Sequence, residues 1–113
     1  MMLEFKKYIS RLARFTTFHP VYKSVEAVQI NPVNEDIVLK LIESRSTLLN
    51  NINSSGDIPY IDSSITCTFY SYGINPQYSI TIRPGDYLIW DESIQRFAVL
   101  PRSTFLMAYK EAL

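Results

Sequence analysis

Between Ile65 and Leu100 the chain keeps a two-residue rhythm broken only by turn residues, and that rhythm commits the C-terminal half to an antiparallel sheet. Ile65, Cys67 and Phe69 alternate with Thr66, Thr68, Tyr70 and Tyr72, so one face of a strand is apolar and the other polar and aromatic. Residues 73–76 supply a turn. Tyr78, Ile80 and Ile82 then alternate with Ser79, Thr81 and Arg83 on the way back. Arg83-Pro84-Gly85-Asp86 has the type II pattern, because glycine at its third position takes the positive φ that turn demands. Tyr87-Leu88-Ile89-Trp90 is apolar on both faces, which predicts a central strand covered on both sides. Asp91-Glu92-Ser93 reverses the chain, and residues 94–100 form the last strand of the series.

The N-terminal half reads differently. Leu3, Phe5, Tyr8, Ile9, Leu12 and Phe15 fit one stripe of an amphipathic helix over residues 3–15, with Lys6, Lys7, Arg11 and Arg14 around it. His19-Pro20 ends that helix. Residues 21–30 predict a strand. Asn31-Pro32 predicts the start of a second helix, with Asn31 as cap and Val33, Ile37, Val38, Leu41 and Ile42 as its buried stripe to about Arg45. Residues 46–63, rich in Asn, Ser, Gly and Pro, read as one long loop. After Pro101, Ser103 or Thr104 caps a final helix carrying Phe105, Leu106, Tyr109 and Leu113. The predicted fold class is α+β, in the order α-β-α-loop-β-β-β-β-α. It is a single domain over residues 1–113, mainly an antiparallel sheet of about five strands, with a helical extension at residues 1–20. A chain of 113 residues is long enough to hold one core without staples.

The reactive residues are few. His19 is the single histidine and has no orienting partner in view, which general-base chemistry requires. Cys67 is the only cysteine and shares a strand face with Ile65 and Phe69, so it reads as a small buried hydrophobe. One His and one Cys cannot make a structural zinc site. The three glycines, Gly56, Gly73 and Gly85, form no phosphate loop. The expectation is therefore no enzyme, no catalytic residue, no metal and no cofactor.

Two surfaces stand out instead. Residues 1–24 carry Lys6, Lys7, Arg11, Arg14 and Lys23 against Glu4 alone, an excess of +4 within a chain of zero net charge. The remaining residues carry the balancing −4. The second surface is the polar, aromatic sheet face with Tyr70, Tyr72 and Arg83, residue types enriched where proteins recognise one another.

Three segments resemble a group of small uncharacterised bacteriophage and prophage proteins. Lys23-Ser24-Val25-Glu26-Ala27-Val28-Gln29 is similar to their V-x-x-E-A-V-Q strand. Pro84-Gly85-Asp86-Tyr87-Leu88-Ile89-Trp90 is similar to their P-G-D-W turn and strand, with Tyr87 where the pattern has Trp. The strand, proline and Phe105-to-Tyr109 ending resembles their tail. The likeness covers most of residues 21–113, implies a phage origin and carries over no catalytic residue.

Together these readings predict a small phage-encoded protein-binding module, a stoichiometric inhibitor or modulator of a host or defence factor. Its partner-binding residues would be Tyr70, Tyr72, Arg83, Lys6, Lys7, Arg11 and Arg14. A nucleic-acid accessory protein using the basic segment is the alternative, and a phage structural component or homodimer the third. The lone cysteine and the lack of an apolar run of about 20 residues predict a cytoplasmic location in the host cell and no membrane partner.

Overall fold

The computed structural model describes residues 3–15, 20–56, 63–70 and 77–112. Its strands are β1 (Lys6–Ser10), β2 (Arg14–Phe15), β3 (Pro20–Val21), β4 (Ser24–Gln29), β5 (Leu49–Ser55), β6 (Ser64–Phe69), β7 (Tyr78–Ile82), β8 (Tyr87–Asp91), β9 (Arg96–Leu100) and β10 (Tyr109–Glu111). Its helices are α1 (Glu35–Glu43) and α2 (Arg102–Ala108). With 48% strand against 17% helix, the protein is mainly β, which corrects the α+β expectation.

All pairing is antiparallel. One sheet has the order β10-β1-β4-β8-β9, a second β5-β6-β7, and β2-β3 form a short hairpin. The main core lies between one face of the five-stranded sheet, α1 and the three-stranded sheet. It joins Val28, Leu88, Trp90 and Phe97 to Val38, Leu41 and Ile42 and to Ile65, Cys67, Phe69, Ile80 and Ile82. A second cluster, with Tyr8, Val25, Ala27, Tyr87, Ile89 and Phe105, fills the opposite face of the five-stranded sheet under α2. β8 is buried at every position because it is central and covered on both sides, as its sequence required.

The helix expected over residues 3–15 is a strand and the start of a ribbon. β1 lies between β4 and β10, in register Tyr8↔Val25 and Tyr8↔Glu111. Its apolar spacing suits a strand as well as a helix, since Phe5 and Ile9 fall on one face and Tyr8 on the other. Two ladders of backbone bonds then decide in favour of the strand. The basic helix surface expected around Lys6, Lys7, Arg11 and Arg14 dissolves, because successive strand residues point to opposite faces.

The loop expected over residues 46–63 contains β5, the longest strand among the described residues. Its Asn and Ser residues have poor strand propensity, but pairing with β6 and the inward Ile52, opposite Cys67, hold it in place. α1 is capped by Asn34, whose side chain accepts the Ile37 N–H at 3.1 Å, not by Asn31. The Asn31-Pro32 peptide is cis and lies outside the helix. α2 starts after Pro101 with no side-chain cap. Ser103 and Thr104 therefore lie within it, while Tyr109 belongs to β10.

Candidate functional site

β1 and β4 form one long hairpin that continues into β2 and β3 as a ribbon. Between the Ser10 N–H···O bond to Lys23 (2.8 Å) and the Arg14↔Val21 pair, three residues on one strand face Tyr22 alone on the other. Ser10 causes this bulge. Its hydroxyl donates to the Leu12 carbonyl (2.9 Å) and accepts the Leu12 N–H (3.2 Å), taking backbone groups that a regular ladder would use. The bulge pushes Leu12 outwards until it is 82% exposed.

The base of the ribbon is fastened at two points. The Arg11 N–H donates to the Ala108 carbonyl at 2.8 Å, and its guanidinium Nε donates to the Leu106 carbonyl at 2.9 Å. Both acceptors belong to the last turn of α2, where unpaired carbonyls attract a cation. On the other strand Lys23 reaches Asp91 at 2.6 Å. Burial alone would raise the Asp91 pKa, but hydrogen bonds from Lys23 and from the Ser93 hydroxyl and N–H outweigh it and hold the carboxyl below its ordinary value. The Lys23 pKa is raised, first by that hydrogen bond.

This anchoring brings exposed apolar side chains to one end of the molecule. Met107 is 80% exposed and precedes the residue that Arg11 bonds. Leu12, Val21, Tyr22 and Met107 are four of the six large hydrophobics that stand exposed among the described residues. Residues 5–25 contain no Asp or Glu, so these side chains sit among Arg11, Arg14 and Lys23 without a carboxylate from their own segment.

The structure distributes the sequence-derived residues unevenly. Lys6 lies on β1 near Glu111, at 3.9 Å and well exposed, Lys7 lies opposite Glu26, and Arg11 and Arg14 are on the ribbon. Tyr70 and Arg83 are both exposed but do not form one site. Tyr70 follows the end of β6 while Arg83 follows Ile82, which pairs with Ile65 at the other end, a separation of roughly 20 Å along the strand. Tyr72 lies outside the described residues, as does His19. The face between Tyr70 and Arg83 is a ladder of hydroxyls, with Thr66 and Thr81 oxygens 3.2 Å apart and those of Thr68 and Ser79 3.1 Å apart.

Sequence reasoning missed Leu12, Tyr22 and Met107. Leu12 falls on the apolar stripe of the expected helix, and only the Ser10 bulge turns it outwards. Met107 carries a usable signal, since it falls off the Phe105–Tyr109 stripe.

Elsewhere the chemistry is sparse. Burial pushes the Cys67 thiol up to about 12, leaving it protonated and unreactive. Among the described residues no three His, Cys, Asp or Glu side chains gather to hold a metal ion, and no helix is long and apolar enough to cross a membrane. A shallow groove of about 590 Å³ runs beside α1, lined by Leu3, Phe5, Ile37 and Leu41. The Arg45 guanidinium sits 4.9 Å from the centre of the Phe5 ring at its edge, and Glu4, Lys40 and Ser44 also line the groove.

The segments behind the phage resemblance meet in space. The Gln29 side chain donates to the Gly85 carbonyl at 3.2 Å. The Gly85 N–H bonds Ile30 O at 2.8 Å, and the Ile30 N–H bonds Asp86 O at 2.9 Å. Within the turn the Asp86 carboxylate accepts the Arg83 N–H at 2.9 Å. These residues lock the end of β4 to the turn before β8, a structural task. In comparisons with known proteins, the chain matches no family model, no curated protein and no solved structure.

Proposed function

We propose that this protein acts by binding another protein through the ribbon bulge, with Leu12, Tyr22 and Met107 as the apolar anchors and Arg11 and Arg14 at the rim. The observation that carries the reading is the outward Leu12, held at 82% exposure by the Ser10 hydroxyl and the Arg11 bonds to α2. A large apolar side chain fixed in solvent on an anchored ribbon gains by being covered, and such pre-organisation limits the entropy lost on binding. The cations around it suit an apolar patch rimmed by carboxylates. Taken with the sequence resemblance, the form we propose is a phage-encoded stoichiometric modulator of a host or defence factor.

The test is capture from host lysate by the wild type, by Leu12→Ser with Met107→Ser, and by Tyr70→Ala. The ribbon variant removes only exposed side chains and should keep its stability within about 0.5 kcal/mol. A partner retained by wild type and Tyr70→Ala but lost by the ribbon variant supports the proposal. Equal capture by all three proteins sinks it, and so does capture of nothing.

Nucleic acid is the second reading, favoured by five cations over residues 6–23 without a carboxylate. Two of the five, Lys6 and Lys23, are already ion-paired, which weakens the field on offer. A gel shift at low salt that disappears as salt rises would favour this reading over the first.

A further inference from the structure

β5 is the outer strand of its sheet, and among the described residues β6 is its only strand neighbour. Exposed edges invite pairing with another chain, and proteins usually guard them with charges, prolines, short length or cover. Both edges of the five-stranded sheet are guarded. β10 is three residues long and carries Lys110 and Glu111. At β9 the Phe97 N–H donates to the Tyr78 hydroxyl at 3.1 Å, and the Arg96 guanidinium lies 4.2 Å from the centre of the Tyr78 ring. β5 has seven residues, Leu-Asn-Asn-Ile-Asn-Ser-Ser, with no charge, proline or glycine.

The strand is also complementary to itself. Asn51 and Asn53 lie opposite Thr68 and Thr66 on the outer face, while Ile52 lies opposite Cys67 on the core face. A two-fold axis through Ile52 sets Asn51 against the partner's Asn53 and Asn53 against the partner's Asn51. An Asn side chain both donates and accepts, so each pair can close its own hydrogen bonds. Ile52, half-buried in the monomer, meets the partner's Ile52. β5 itself brings no like charges together, and the symmetry closes at two copies.

We propose that the outer edge of β5 pairs with β5 of a second copy of this chain, antiparallel and centred on Ile52, joining the two three-stranded sheets into one of six. This contact lies on a different sheet from the ribbon and does not depend on it.

The test is sedimentation velocity of the full chain across a wide concentration range. Wild type should form a dimer that dissociates on dilution, with little response to salt. Asn51→Lys with Asn53→Lys sets lysine against lysine and should remain monomeric with an unchanged circular dichroism spectrum. Asn51→Lys with Asn53→Glu sets each new lysine against the other copy's new glutamate and should restore a dimer, now weakened by salt. A wild type that stays monomeric at every concentration overturns the proposal. So does a double-lysine variant that still dimerises, or a charge-swapped variant whose association ignores salt.

Discussion

Truncating Phe105 to alanine is expected to unfold the end of the molecule that carries the ribbon. Phe105 is fully buried and stacks on Tyr87 at 4.2 Å, meets the edge of Tyr8 at 4.9 Å and stacks on Tyr109 at 5.1 Å. α2 has only seven residues and no side-chain cap, too short to hold itself together in water. Phe105 is its only buried residue. Large-to-small changes at such a site cost about 3–5 kcal/mol, a large share of the roughly 5–15 kcal/mol that holds a domain folded. Because α2 also supplies the carbonyls that anchor Arg11, partner binding through Leu12 should fall with stability. Urea unfolding followed by Trp90 fluorescence measures the loss. Phe105→Leu, which keeps most of the volume, should cost about 1–2 kcal/mol. A Phe105→Ala loss below about 1 kcal/mol would refute the claim that one aromatic ring pins α2, since a ring so buried must then have been replaceable by its neighbours.

Three further outcomes follow from the same structure. Asp91 has a folded-state pKa below its unfolded value, so its contribution is present above about pH 4 and is lost as pH falls through the folded pKa; acid titration of stability should be flatter in Asp91→Asn than in wild type. Cys67, with its thiol pushed up to about 12, should resist a thiol reagent at pH 8 in the native protein and react fully in urea. Gly85 has φ of +89° and open space where a Cβ would stand, so Gly85→Ala should cost about 1–2 kcal/mol from backbone conformation alone, as read by the thermal midpoint.

The strands between residues 64 and 100 were legible because alternation and turn chemistry point the same way, whereas β10 falls where the last helix was expected to continue. β6 and β7 present Ile65, Cys67, Phe69, Ile80 and Ile82 inwards, and Gly85 adopts the positive φ its turn needs. α1 was legible from Val38, Leu41 and Ile42. Two stretches were not. Residues 3–15 satisfy the helical and the strand period together, and no capping residue precedes Leu3 to favour the helix. Residues 49–55 are polar enough to read as loop, because strand propensity depends on what lies alongside. The candidate site suffered most. Its cations were found, but they were set on a helix face that does not exist; of its apolar anchors, Leu12 was put on that helix and Tyr22 and Met107 were given no role.

The sequence alone determined the alternation of the second half, the twice-covered strand at Tyr87–Trp90 and the scarcity of reactive groups. These are local matters, settled by the period of apolar residues and by which side chains are present. Tertiary structure decided that residues 6–10 are a strand between β4 and β10, that Ser10 breaks the ribbon, and that β5, among the described residues, pairs with β6 alone. Each of these depends on backbone hydrogen bonds to segments distant in the chain, and no local pattern encodes which distant segment will supply them.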